Sequence, residues 1–283
     1  MNLRSLLFVP GDRPDRMEKA LAGAADALIL DLEDSVAPSA KAQAREAVAT
    51  FLARARGRKP LLVRINPLDG ALWRDDLAAA AMGGADGIVL PKAEGAASVA
   101  TVVAAWQGSR PLRVLPIATE TPRALFQLSS YGEVAASLIG LTWGAEDLSA
   151  AVGAVAAREA DGRYTPPYEH ARTMTLFAAM AAGVAPIETV FPDFRDAEGL
   201  GHYLERARRD GYVGMLAIHP SQVDAINRAF TPSEQEIAWA LEVEALFAAN
   251  PGAGALQLHG RMVDAPHRRL AQRLLARRAD APR

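Results

Sequence analysis

Two carboxylates carry the first chemical suggestion. Glu120 closes the run VLPIATE and Asp147 closes IGLTWGAED. Each follows a short apolar stretch of the kind that forms a strand, and the two stretches are consecutive. If those strands are neighbours, the carboxylates lie a few ångströms apart and repel each other unless a cation sits between them. Magnesium suits such a pair, because it takes one or two protein carboxylates, keeps several waters and gives its remaining positions to substrate oxygens. The alternative is that each residue caps the helix that follows it, Glu120 within Glu-Thr-Pro and Asp147 together with Ser149.

Other residues add to this chemistry. Arg64, flanked by apolar residues in LLVRIN, is a forked donor suited to a carboxylate or an enolate oxygen. It is equally suited to a salt bridge with the carboxylates of DLED, and the two roles are compatible if Glu33 orients Arg64. His219 in AIHPSQ invites the role of general base, but a histidine before proline at a strand end reads more readily as a hydrogen-bonded loop anchor. Lys92, after VLP, offers a substrate cation or a Schiff-base amine, and a metal pair makes the Schiff base redundant. The loop VPGDRPDR around Gly11 lacks the spacing of a dinucleotide or P-loop fingerprint. It brings backbone N–H groups and arginines to a strand end, which suits an anionic ligand.

These residues need a scaffold that gathers strand ends. Apolar runs at 5–9, 27–31, 61–65, 87–90, 112–118, 137–142, 186–190 and 213–218 read as strands covered on both faces. Between them lie helix formers at 3.6-residue spacing, for instance over 40–54, 98–106, 168–182 and 197–209. Glycines at 83, 108, 183 and 211 follow helices as C-caps do. Strict alternation of eight strands with helices predicts a (β/α)8 TIM barrel, with an open sheet as the alternative. Barrel enzymes keep their chemistry at the C-terminal ends of the strands. In this chain that rim carries Pro10 and Gly11, DLED, Arg64 and Asn66, Lys92 and Glu94, Glu120, Glu146 and Asp147, Glu188 and His219.

The barrel is expected over 1–230, followed by a C-terminal helical extension over 231–283 that docks on its own barrel or on a neighbouring subunit. Thr231, Pro232 and Glu234 predict a capping box at the start of its long helix, and Asn250–Gly254 breaks that helix. The closing ADAPR is expected to be disordered.

Composition narrows the function classes. Half of the 283 residues are hydrophobic, ample for one large core, and a formal net charge of −2 gives no general attraction for nucleic acid or an acidic membrane. The absence of cysteine removes disulfides, thiolate metal sites and cysteine nucleophiles. The first apolar stretch, Leu6 to Pro10, is too short for a signal sequence, so a soluble cytoplasmic protein is expected.

The segments RSLLFVPG, LILDLEDSV, LLVRIN, GIVLPKAE, the glutamate of PIATET, GAEDLSA, PIETVFPDF and AIHPSQ follow one another between residues 4 and 222, and MVDAP stands at 262–266. In that order they resemble the citrate lyase beta-subunit-like family, which includes malyl-CoA and citramalyl-CoA lyases. The resemblance implies a TIM barrel assembled as a homotrimer or hexamer, with Mg2+ held by Glu120 and Asp147. It implies that Arg64 contacts the keto acid and the thioester oxygen. Asp264 of MVDAP would enter a neighbouring subunit's site as the acid/base. A CoA or pantetheine arm would cross the mouth beside the first-motif residues Pro10, Gly11 and Arg13.

The implied reaction is magnesium-dependent cleavage or formation of a 3-hydroxyacyl thioester, of citryl-, malyl- or citramalyl-CoA type, to a keto acid and an acetyl thioester. Alternatives are a malyl-CoA-type thioesterase, a metal-dependent 2-keto acid aldolase and a non-catalytic binding protein. Such aldolases usually show an early histidine, whereas the first one here is His170. Two positions depart from the family pattern. Met215 stands where relatives commonly carry lysine, which leaves the acyl carrier and substrate open, and Glu188 stands where many carry aspartate.

Overall fold

The eight apolar runs become parallel strands in the computed structural model, which describes residues 3–279. The strands are β1 (Ser5–Pro10), β2 (Ala27–Asp31), β3 (Leu61–Arg64), β4 (Gly87–Leu90), β5 (Val114–Pro116), β6 (Gly140–Leu141), β7 (Ala185–Glu188) and β8 (Gly214–Ala217). From β1 the sheet runs through β2, β3 and β4 to β5 on one side, and through β8 and β7 to β6 on the other. The two ends meet through parallel bridges at Val114–Leu138 and Ile117–Thr142, where Ile139 N–H donates to Val114 O at 2.8 Å. The sheet therefore closes into a (β/α)8 barrel.

Helices α1 (Pro14–Ala22), α2 (Lys41–Ala55), α3 (Trp73–Gly83), α4 (Ala96–Ala105), α5 (Pro122–Leu125), α6 (Glu146–Val152), α7 (Pro166–Ala182) and α8 (Ala197–Asp210) occupy the crossovers, and α9 (Val223–Phe230) follows β8. Gly183 and Gly211 end α7 and α8 in the left-handed conformation, as expected of C-caps. The other two expected caps are displaced. Gly83 is the last residue of α3 and Gly84 takes the left-handed turn, while α4 ends at Trp106 in extended backbone, before Gly108.

One apolar cluster draws on seven of the eight strands, and on Ile139 just before β6. Leu6, Ile29, Leu62, Val89, Leu115, Ile187 and Leu216 are buried in it, with Phe8, Ile139 and Val190 packed against them. Because side chains alternate along a strand, this cluster sets the inward parity of each one. Asp31 and Arg64 share the parity of Ile29 and Leu62, so they face inward at the barrel mouth. Glu188 and Met215, each next to an inward residue, face the helices instead.

The chain divides into two compact units, Leu3–Asn227 and the segment from Arg228 onward. The division falls inside α9. The second unit contains α10 (Glu234–Ala249), a hairpin of β9 (Ala255–Leu258) and β10 (Arg261–Asp264), and α11 (Ala265–Ala279). Val243, Phe247, Val263, Ala271 and Leu274 form its core. The hairpin was not visible as a sequence pattern. Its two-residue loop, His259-Gly260, has positive φ at both positions, as a tight turn matched to strand twist requires.

The expected cap of α10 is corrected as well. Ser233, not Thr231, accepts from Glu236 N–H while the Glu236 side chain accepts from Ser233 N–H. With Ser233 as the cap the helix begins at Glu234, and Pro232 lies outside it. Most of the ADAPR segment, residues 280–283, lies outside the described residues. Among the described residues, no helix is long and apolar enough to cross a membrane.

Candidate active site

At the C-terminal ends of the strands a cavity of about 450 Å³ opens above the barrel core. Phe8, Ile117, Leu216 and Trp143 give it an apolar floor and wall, and Asp31, Arg64, Glu120 and Asp147 line its polar side. This is the position that parity and the barrel rule assign to a reactive centre.

Arg64 leaves the end of β3 and forks onto Asp31 at the end of β2. Its Nε and Nη2 donate to the two carboxylate oxygens at 2.6 and 2.7 Å. Nη1 lies 3.0 Å from Glu33 Oε2 and 3.4 Å from Asp34, and the guanidinium covers the Phe8 ring at 4.8 Å. Asp31 also accepts from the N–H groups of Glu33 and Ser35. Burial works to raise the Asp31 carboxyl, but the hydrogen bonds and charge of Arg64 outweigh it and hold Asp31 below its ordinary value. For Arg64 the same contest between burial and carboxylates ends with the cation held firmly protonated. The salt bridge anticipated from DLED is present, and its principal partner is Asp31, with Glu33 second. Nothing in the sequence separated Asp31 from the other carboxylates of that motif.

Glu33, Lys92, Glu120 and Asp147 converge beside this pair. Lys92 Nζ lies 2.8 Å from Glu33 Oε1 and 3.1 Å from Asp147 Oδ1, and Lys92 N–H donates to Glu120 Oε2 at 2.6 Å. Burial is the main reason that the Glu120 carboxyl is pushed up to about 8. The Lys92 N–H opposes this, and the charges of Asp147 and Glu33 reinforce it. Glu33 is raised for the same first reason, against Arg64 and Lys92. Burial would lower Lys92, but its three carboxylate neighbours overcome that and keep it protonated. A protonated amine cannot form a Schiff base, and this supports setting that role aside.

Neither carboxylate serves as a helix cap. Thr121 caps α5 through its side chain, and Asp147 lies in the first turn of α6 without a capping bond. Gly144 permits their approach, since a Cβ there would sit 2.7 Å from Glu120 Cγ.

The first loop borders a second cavity of about 750 Å³, lined by Pro10, Arg13, Arg16, Lys19 and His219. Arg13, Arg16 and Lys19 recur at helical spacing on and just before α1, a basic stripe that the sequence reading named only as loop arginines. Gly11 lines neither cavity. Its N–H donates to Asp31 O at 2.8 Å, and a Cβ would meet that oxygen at 2.6 Å. His219 is a loop anchor: its Nδ1 accepts from Ser221 N–H, and its ring stacks on Phe194 at 4.6 Å.

Glu188 is corrected from a rim residue to a buried one. It accepts from Trp143 Nε1 at 2.5 Å, Tyr203 OH at 2.9 Å, Arg172 Nε at 2.7 Å and Thr189 N–H at 2.9 Å. Outward parity on β7 places it among the helices, where it ties the strand ends to α7 and α8. Met215 is fully buried and lines neither cavity, so the missing lysine charge does not bear on the mouth. In the second unit Asp264 pairs with His267 Nδ1 at 2.6 Å, which lowers its pKa.

The fold and site thus define a closed (β/α)8 barrel with a forked arginine and a lysine-bridged set of carboxylates on its C-terminal rim, the place where barrel enzymes keep their chemistry. Residues 4–220 match the model of the HpcH/HpaI aldolase/citrate lyase family, and the chain belongs to that family of carbon–carbon lyases. It is 38% identical to a citrate lyase subunit beta-like protein of Mycobacterium tuberculosis, across 99% of both chains. It is 35% identical to an L-malyl-CoA/beta-methylmalyl-CoA lyase of Cereibacter sphaeroides, over 92% of this chain and 90% of the relative. A (3S)-malyl-CoA thioesterase from the same species is 36% identical, over 97% and 94%. Among solved structures, CitE from Mycobacterium tuberculosis in complex with magnesium, acetoacetate and coenzyme A superposes with a TM-score of 0.80, at 36% identity and 98% coverage of each chain.

Proposed function

We propose that this protein is a cytoplasmic, magnesium-dependent lyase that cleaves or forms the carbon–carbon bond of a 3-hydroxyacyl-CoA of malyl or citramalyl type. The observation that carries this reading is the convergence of Glu120 and Asp147 on one lysine, beside Arg64 at the mouth of the barrel. The donor set fits a divalent cation. Glu120 is buried at a cost that Asp147 and Glu33 increase, and a cation between the carboxylates reverses that cost. Among the described residues no three acidic or imidazole side chains form a ready-made cage. Two carboxylates with water and substrate completing the shell are what magnesium takes.

Glu120 and Asp147 hold the ion in this proposal, and the ion supplies Lewis acidity to substrate oxygens. In the synthetic direction the Asp264 carboxylate takes a methyl proton from the acetyl thioester. The electrons of that C–H bond pass to the thioester oxygen as an enolate, which faces the Arg64 guanidinium held rigid by Asp31 and Glu33. The enolate carbon then attacks the carbonyl carbon of glyoxylate or pyruvate, the C=O π electrons pass to its oxygen, that oxygen takes up a proton from solvent to become the 3-hydroxyl, and cleavage reverses these steps. Asp264 comes from a neighbouring subunit of a homo-oligomer, a trimer or hexamer. Pro10 and Arg13, with Arg16 and Lys19, frame the place of the CoA arm, where the cations meet its phosphates, and Gly11 shapes the loop from behind through its bond to Asp31 O.

The solved relative that binds magnesium, acetoacetate and coenzyme A supports this reading. The malyl-CoA thioesterase relative supports a second one, in which the same enolate-forming site leads to hydrolysis of the thioester. Incubation with malyl-CoA and citramalyl-CoA, with and without magnesium, separates them. Magnesium-dependent acetyl-CoA with glyoxylate or pyruvate is the expected result. Free CoA with intact malate or citramalate identifies the thioesterase. Asp264→Asn should lower kcat by about a hundredfold or more with magnesium affinity unchanged, and unaltered turnover would remove Asp264 from the mechanism.

A further inference from the structure

Lys92 is one of two non-glycine residues with positive φ among the described residues, at 50°. Left-handed backbone is uncommon for an L-residue with a long side chain, and such outliers gather where a group must be held in one direction. Here the turn aims two donors from one residue. The backbone N–H goes to Glu120 Oε2 at 2.6 Å, and the ammonium goes to Glu33 Oε1 at 2.8 Å and Asp147 Oδ1 at 3.1 Å. One residue thus touches both carboxylates assigned above to the metal, and it brings a fixed positive charge to the place where a divalent cation has to enter.

We infer that Lys92 makes magnesium and the keto acid bind as a pair: its ammonium opposes the metal alone and favours the metal accompanied by an anionic substrate. The inference rests on the metal reading of Glu120 and Asp147. Its physical basis is the sign of the charges. The Arg64 and Asp31 charges largely satisfy each other through their bidentate contact, while Lys92 shares Glu33 with Arg64 Nη1 and alone pairs with Asp147. A metal ion arriving alone competes with the ammonium for Asp147 and is repelled by it. A keto acid brings a carboxylate that the same ammonium attracts. One charge therefore acts with opposite sign on the two ligands, and each ligand raises the affinity for the other by the same factor. Lys92 acts by its charge on both ligands, from a position that Glu33, Asp147 and Glu120 hold.

The test is isothermal titration of the full-length protein with magnesium chloride, alone and with saturating pyruvate or glyoxylate. It uses the wild type, Lys92→Gly, Lys92→Met and Lys92→Arg. Glycine accepts the left-handed backbone and keeps the N–H on Glu120, so Lys92→Gly removes the ammonium without disturbing the turn. Lys92→Met keeps the stem and carries the same test if the glycine variant fails to fold, as judged by thermal unfolding.

For the wild type the keto acid should tighten magnesium binding by about tenfold or more. Lys92→Gly and Lys92→Met should bind magnesium alone about tenfold more tightly than the wild type, with the keto acid effect reduced to about threefold or less. Lys92→Arg, which keeps the charge, should keep the coupling. Neutral variants that bind magnesium alone no more tightly than the wild type, or that keep full coupling, would overturn the inference. No magnesium binding by any of the proteins, with or without keto acid, would overturn the metal reading itself and this inference with it.

Discussion

Replacing Glu120 with glutamine tests the electrostatics of the mouth directly. The wild-type carboxyl is buried and displaced from 4.5 to about 8. A carboxyl raised in the folded state binds more protons folded than unfolded between those two values, so stability falls as pH rises through that window. The displacement corresponds to about 5 kcal/mol between the ends of the window. The glutamine amide does not titrate and still offers an oxygen to Lys92 N–H.

In urea unfolding with a chelator present, Glu120→Gln and wild type should therefore differ least near pH 5. The variant should gain on the wild type by up to about 1.4 kcal/mol per pH unit until about pH 8. Magnesium should restore the wild type at high pH, because bound metal stabilises the folded state by mass action, and it should do little for the variant. A stability difference that stays constant across the range would refute the assignment of Glu120 as the strained carboxylate of this site.

Three further outcomes follow from the geometry. Asp31→Asn removes the charge that holds the Arg64 fork and should cost about 3–5 kcal/mol of stability, read by chemical denaturation, together with a clear fall in kcat. Glu188→Ala strands Trp143, Tyr203 and Arg172 donors in the helix layer and should destabilise by about 3–5 kcal/mol, with a change in near-ultraviolet circular dichroism as the Trp143 indole is released. Gly144→Ala places a methyl group 2.7 Å from Glu120 Cγ. It should weaken magnesium binding in titration while costing about 1–3 kcal/mol of stability.

Much of the barrel was legible because its signals are local. Short runs buried on both faces, separated by helical spacing, leave few ways to cover a parallel sheet, and the ends of those runs are a list of what the rim can hold. Arg64, Glu120 and Asp147 stood out on that list as charged groups at or soon after the ends of apolar runs, where a metal, a substrate, a salt bridge or a helix cap can each account for them. Glu188 was misplaced because strand periodicity fixes which residues share a face but not which face is the barrel interior. That became clear only from the shared cluster of Ile187 with Leu6 and Leu216. The Thr231 cap failed for a smaller reason: Thr231 and Ser233 each have Glu three residues on, Glu234 and Glu236, so the sequence offers two frames for one capping box and the chain takes the later one.

What the chain alone determines is therefore the order of strands and helices, the family and the inventory of rim residues, all of which depend on neighbours in sequence. Tertiary structure decided which of those residues meet. Asp31 rather than the rest of DLED holds Arg64, and a left-handed turn points both donors of Lys92 at carboxylates from other strands. Those outcomes depend on closure of the barrel, which brings strand ends distant in sequence within a few ångströms, and on backbone directions that no local pattern encodes.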